Sequence, residues 1–311
     1  MNLKLFKSKL RRKKAVPHVM AACYGFLAYT IFTFSDALMK LAGTSQVPKM
    51  QALTIMGLSA TLSVIIFCAA RGRLKYLKNK KPKIELLRSL LMTALVFLGF
   101  FAVINLPLAI FYTGIFATPM LTSVMAAIFL KEKLPMKKAI AILFGFAGVL
   151  IAIDPLSIDT ASGKSLSYLA LAACPLIAAT TVLLTRIEVR TETPESLTLY
   201  PYVIRVIIFA PFCLWSYAPI GINEWLYVIG AGTFNAISYM LLSFALKNAN
   251  AATVVPFQYT QLITGSAIGY VLWSDKLSLN LIIGASIIIA SGLFMVFKAQ
   301  KKPTAEPLPE I

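Results

Sequence analysis

Apolar stretches of membrane-spanning length recur along this chain, separated by short polar connections. Cutting at the polar breaks predicts ten helices, at 18–41, 50–70, 84–104, 107–130, 136–153, 166–186, 196–217, 223–245, 251–273 and 279–297. A bilayer core takes about 20 apolar residues per helix. Runs of this length read as membrane-spanning helices, so the expectation is an all-α integral membrane protein with ten transmembrane helices.

The connections carry a second pattern. With the N-terminus inside, 25 of the 30 basic residues fall in the N-terminal tail, the even-numbered loops with their helix ends, or the C-terminal tail. Only Lys49, Lys164 and Lys276 fall in odd-numbered loops, while Lys40 and Arg205 lie within spans. That is the positive-inside distribution, and it supports both the count and the orientation. It predicts a multi-pass protein of the bacterial inner membrane with both termini cytosolic.

Composition agrees: 59% hydrophobic and 14% charged residues make the chain too apolar for a soluble domain. A net charge of +18 raises nucleic-acid binding as an alternative, but the basic runs 4–14 and 71–83 flank spans on the cytosolic side. They suit topology determination and contacts to anionic lipid headgroups. The first 14 residues resemble the start of a signal peptide, yet the span that follows is long and shows no clear small-residue cleavage site before Asp36, which predicts a retained helix. Cys23, Cys68, Cys174 and Cys213 fall inside spans as apolar packing residues. With His18 as the one histidine, no metal constellation is expected, and no cofactor. A homodimer stays open.

An internal repeat divides the chain. Phe129-Leu130-Lys131-Glu132-Lys133-Leu134 precedes a short span containing Gly145 and Gly148; Leu272-Trp273-Ser274-Asp275-Lys276-Leu277 precedes one containing Gly284 and Gly292. Glu132 and Asp275 stand 143 residues apart. Five spans per half is an odd number, so the second copy inserts upside down. The expected organisation is a basic cytosolic tail (1–17), a first five-helix repeat (18–153), an external linker (154–165), a second repeat (166–298) and a cytosolic tail (299–311). Two inverted repeats with a site near mid-membrane are a transporter architecture.

The segment Pro256-Phe257-Gln258-Tyr259-Thr260, with Gly269-Tyr270 and Asp275 downstream, resembles the second-half signature of the EamA family in the drug/metabolite transporter superfamily. Pro119, 13 residues before Glu132, is similar to that family's proline-then-acid element. Asp36-Ala37-Leu38-Met39-Lys40 resembles an acid-and-lysine element of the subgroup containing predicted S-adenosylmethionine carriers. The resemblance runs from about residue 18 to 298 and departs at Ser274-Asp275, where the family usually has Gly-Glu. It implies a carrier of a small metabolite.

Charges inside spans cost about 2.5–3.5 kcal/mol on insertion scales, so each is a functional candidate. Asp36 and Lys40, one turn apart, suit either a local ion pair or a gate or coupling element. Arg205, deep in the seventh span, suits either a structural partner or a carboxylate or phosphate of the substrate. Tyr112 and Thr113, Asn235 and Tyr239, and Gln258, Tyr259 and Gln261 are candidates to line a polar cavity or to bond between helices. Pro119, Pro175, Pro201, Pro211 and Pro256 break backbone hydrogen bonds within spans; Pro119 and Pro256 occupy corresponding helices, where an unwound backbone either faces substrate or only shapes the bundle.

The favoured function is a secondary transporter moving an amino-acid-like or S-adenosylmethionine-like substrate by alternating access. No phosphate-binding loop of the G-x-x-x-x-G-K-[ST] type is present, and neither DDxxD nor HExxH, which counts against a pump and against a membrane enzyme. A receptor or assembly protein is the remaining alternative.

Overall fold

The computed structural model describes residues 18–45, 47–129, 131, 134–154, 164–188, 191–248, 254–276 and 278–300. The terminal tails, much of the expected linker, the eighth-to-ninth connection and Glu132 lie outside the described residues. Eleven α-helices cover nearly all of the rest: α1 (His18–Thr44), α2 (Lys49–Ala70), α3 (Pro82–Asn105), α4 (Leu108–Ile115), α5 (Thr118–Phe129), α6 (Met136–Ile153), α7 (Ser165–Glu188), α8 (Pro194–Trp215), α9 (Ile222–Asn248), α10 (Thr260–Trp273) and α11 (Leu279–Gln300). Short 3-10 helices span Leu74–Leu77 and Val255–Tyr259.

Seven segments are long and apolar enough to cross a membrane: those of α1, α2 and α3, the 22-residue stretch Leu108–Phe129, and those of α7, α8 and α9. The shorter apolar helices Ala139–Ile153 and Leu279–Phe294 lie in α6 and α11. Two of the expected spans are not continuous helices. The fourth breaks between Ile115 and Thr118, and the ninth opens with the 3-10 helix before α10. Pro119 sits in the first turn of α5 and Pro256 in the 3-10 helix. A proline has no N–H to give the ladder, which is tolerated where a helix starts. Pro175, Pro201 and Pro211 instead lie inside α7 and α8.

The surface has the polarity of a lipid-facing protein. Leu143 is 69% exposed, Val271 75% and Leu214 81% within the apolar helices. Meanwhile Thr33, Gln51, Arg88, Glu85 and Arg205 are buried.

Helix neighbours repeat between the halves. α1 packs on α9 and α3 on α7; α2 meets both α8 and α9, and α3 also meets α8. α6 crosses α11, and α4 meets α10. The α6–α11 crossing is close and reciprocal: a Cβ on Gly284 would collide with the backbone carbonyl of Gly148, and one on Gly148 with that of Gly284. Small residues let helix backbones approach in this way. Beside this contact, the Ser291 hydroxyl donates to the Ala141 carbonyl. Ala141 and Gly284, and Gly148 and Ser291, each stand 143 residues apart, so one contact is the other with the halves exchanged. The same interval separates Lys131 and Ser274, which both take left-handed backbone, with φ of 53° and 54°.

Candidate functional site

The interior polar groups form three layers along the bundle. In the layer at the C-terminal end of α1, Lys40 is 5% exposed. Its Nζ donates to the Leu106 carbonyl at 2.9 Å, lies 3.7 Å from Asp275 Oδ2 and stands 4.6 Å from the Trp273 ring centre. These partners come from α1, the α3–α4 junction and the α10–α11 loop. The geometry corrects one sequence expectation: Lys40 reaches across the bundle to Asp275 and does not pair with Asp36. One turn deeper, the Tyr112 hydroxyl donates to Asp36 Oδ2 at 2.8 Å. Tyr112 is 1% exposed and packs over Gly265 of α10, where a Cβ would strike its ring. Thr264 bonds Thr33 at 3.0 Å beside them. A cavity of about 140 Å³ opens in this layer between Pro107, Ile110, Ser266, Asp275 and Lys276.

The middle layer holds Arg205, the twelfth residue of the 22-residue α8. That is about 16 Å from the helix start at 1.5 Å per residue, deeper than the span boundary read from sequence. Arg205 is 2% exposed, and its guanidinium carbon lies 5.2 Å from the Tyr202 ring centre. Its Nε has no hydrogen-bond acceptor among the described residues, and no carboxylate pairs with it there. Around it, the Tyr202 hydroxyl donates to Asn235 Oδ1 at 2.8 Å. Tyr239 meets Tyr202 edge-on at 6.4 Å and Phe32 of α1 at 5.0 Å. A guanidinium with no acid partner among the described residues, set on the Tyr202 ring with Tyr239 and Asn235 beyond it, can bind an anion.

The remaining candidates do not join this group. Thr113 returns its hydroxyl to its own helix, bonding the Ala109 carbonyl. Tyr259 meets Phe116 edge-on at 5.2 Å and directs its hydroxyl at Gly292 of α11. Gln261 is buried and Gln258 half-buried, with no partner on Arg205. Tyr202 escaped the sequence reading; its position three residues before Arg205, on the same helix face, was the available signal.

The third layer, at the opposite end from Lys40, was also missed. Arg88 Nη2 meets Glu85 Oε1 at 2.6 Å and donates to the Leu197 carbonyl at 2.6 Å, and its Nε pairs with Glu188 Oε2 at 2.9 Å. Ser89 donates to Glu85 at 2.9 Å, and the Lys80 amide to Glu192 at 3.0 Å. Arg73 pairs with Glu195 at 2.9 Å, and Thr193 bonds the Tyr76 carbonyl. This network ties α3 and the preceding loop to α7 and α8. Among the described residues no group of acids, histidines and cysteines suits a metal ion.

Apolar helices of spanning length that enclose layers of buried polar groups define a multi-pass membrane protein. The sequence pattern of the EamA-like transporter family matches residues 19–153 and again 165–297, so the chain belongs to that family and is a transporter, not an enzyme. It is 21% identical to the S-adenosylmethionine uptake transporter of Rickettsia prowazekii, over 91% of this chain and 95% of that protein. It is 26% identical to the riboflavin transporter of Vibrio cholerae over 61% and 62%, and 22% identical to a pseudopaline exporter of Pseudomonas aeruginosa over 84% and 90%. A solved crystal structure shares its fold with a TM-score of 0.66 at 20% identity, over 90% of this chain and 98% of that one.

Proposed function

We propose that this protein carries a small metabolite bearing a carboxylate, amino-acid-like or S-adenosylmethionine-like, across the bacterial inner membrane by alternating access. The observation that carries this reading is Arg205, buried and without an acid at the middle of α8. An isolated buried guanidinium is strongly unfavourable, and a substrate anion relieves it. Its planar fork suits a carboxylate, with Tyr202, Tyr239 and Asn235 contacting the remainder. Asp36 with Tyr112 and Lys40 with Asp275 act above that site as coupling and gating elements.

The architecture in this reading is ten spans in two inverted five-helix repeats. Its support is the reciprocal α6–α11 contact, the matched left-handed residues 131 and 274, the broken fourth and ninth spans and the charge distribution of the loops. Both termini are then cytosolic, anionic lipid meets the basic loops, and the Lys40 layer faces outward. Homologues named for S-adenosylmethionine, riboflavin and pseudopaline support a metabolite as cargo.

The test is uptake into proteoliposomes, with S-adenosylmethionine as the first probe and an amino-acid panel after it. Arg205→Ala should abolish uptake, and Arg205→Lys should reduce it at least tenfold while expression stays normal. Wild-type uptake and affinity in Arg205→Ala would refute the assignment.

A further inference from the structure

The network under Arg205 contains a charge imbalance. Glu85 is 1% exposed, Glu188 0% and Arg88 3%. Among the described residues, two carboxylates therefore share a single guanidinium in a region closed to water. Arg88 divides its donors between Glu85, Glu188 and the Leu197 carbonyl. Beyond the Arg88 ion pair, neither oxygen of Glu188 has a hydrogen-bond donor among the described residues. Both carboxylates converge on Arg88 Nε, Glu85 Oε2 at 3.3 Å and Glu188 Oε2 at 2.9 Å, which brings the two acids side by side. Two ionised carboxylates at that separation repel, and a buried, unneutralised charge costs several kcal/mol. The other described groups near Glu188 do not compensate: Glu192 adds a third carboxylate, Arg73 is taken by Glu195, and Ser89 and Asn79 donate to Glu85.

We infer that Glu85 and Glu188 hold one proton between them, and that this proton latches the ends of α3 and α7 together at the cytosolic mouth. The latch spans the two halves of the chain, since Glu85 and Arg88 belong to the first and Glu188 and Leu197 to the second. The proton comes from cytosolic water when the mouth closes. It returns there when the mouth opens and Glu188 becomes hydrated. No net charge crosses the membrane in this step, so the device sets the pH dependence of opening and does not drive transport. The inference rests on the proposed reading of this face as the cytosolic mouth of a carrier.

Glu188 lies beyond the apolar span of α7. Burial pushes its carboxyl up to about 7, Glu85 adds to the rise, and Arg88 opposes it. The sign follows. A carboxyl whose closed-state value is raised favours the closed state at low pH. That advantage falls tenfold per pH unit as pH rises from the hydrated carboxylate range to about 7, and is constant above it. Acidification of the cytosolic side closes the mouth; alkalinisation releases it.

The experiment uses the full chain in nanodiscs with Asp36→Asn, which removes a partly buried carboxyl elsewhere in the bundle; of the other buried acids, Glu195 is paired with Arg73 and Glu192 accepts from the Lys80 amide. Infrared spectroscopy should show a protonated carboxylic-acid band that titrates away with a midpoint near pH 7. Glu188→Gln should remove it. Spin labels at Lys75 and Ile187, both exposed and outside the network, should report a population of longer distances that grows between pH 5 and 7.5. Glu188→Gln, whose amide donates to Glu85 as the shared proton does, should hold the short distance at every pH. If that variant does not fold, Glu85→Gln must show the same loss of pH response. Absence of the band at pH 6, or its persistence with the wild-type midpoint in both glutamine variants, overturns the shared proton; a distance indifferent to pH overturns the latch. A lack of uptake for every probe would refute the carrier reading while leaving these titrations unchanged.

Discussion

A charge inside a bilayer is costly without a partner, and where partners are present here they are specific. Asp36 has Tyr112, whose phenol is its hydrogen-bond donor. Tyr112→Phe leaves a buried carboxylate without a donor and should lower stability by roughly 1–2 kcal/mol. Thermal unfolding in detergent measures this, and a double-mutant cycle with Asp36→Asn should show coupling, because removing both partners spares the orphaned acid. Arg205 and Asp36 were legible in the sequence because a charge in an apolar run is conspicuous. Their partners were not. Lys40 sits at helical spacing from Asp36, yet its partners come from residues 106 and 275, and only the tertiary fold brings those close. Arg88 was harder still. It lies seven residues into α3, and it was counted with the basic helix ends that set topology although its side chain is the hub of a buried network.

At the scale of elements, the ends of helices carried information that hydropathy did not. α10 terminates at Ser274, whose φ of 54° is left-handed; its amide bonds the Tyr270 carbonyl, and the Asp275 amide bonds that of Gly269. A glycine is at ease in that conformation, while a residue with a Cβ strains by about 1 kcal/mol. Ser274→Gly should therefore stabilise the protein by roughly 0.5–1 kcal/mol, read as a higher unfolding temperature with uptake unchanged. The departure from Gly-Glu noted in the sequence is thus accommodated with the loop turn intact. Nearly every span was visible in the apolar runs. The breaks after Ile115 and before Thr260 were not, since a run of apolar residues looks the same whether its helix is continuous or interrupted. Prolines at 119 and 256 marked the neighbourhood of each break without fixing its place.

At the scale of the molecule, the charge of the loops bears on orientation. In the proposed topology Lys78, in the basic stretch between α2 and α3, lies on the cytosolic side, and Lys164, before α7, outside. A cysteine at position 78, in a chain freed of its four native cysteines, should resist a membrane-impermeant reagent added from outside, while one at position 164 should react. Labelling at 78 from outside would overturn the orientation together with the cytosolic position of the Arg88 network.

The crossing of α6 and α11 has a further mechanical meaning. Under exchange of the two halves, the touching glycines and the serine-to-carbonyl bond beside them map onto each other. If the carrier changes face by letting each half adopt the other's shape, a contact on the symmetry axis survives the swap, whereas clasps at either mouth must alternate. The crossing is then a fulcrum. A disulfide between Ala141→Cys and Ser291→Cys should leave uptake within about twofold of the uncrosslinked protein, because a contact on the symmetry axis keeps its geometry when the halves exchange shapes. One between Lys40→Cys and Asp275→Cys should stop uptake until it is reduced.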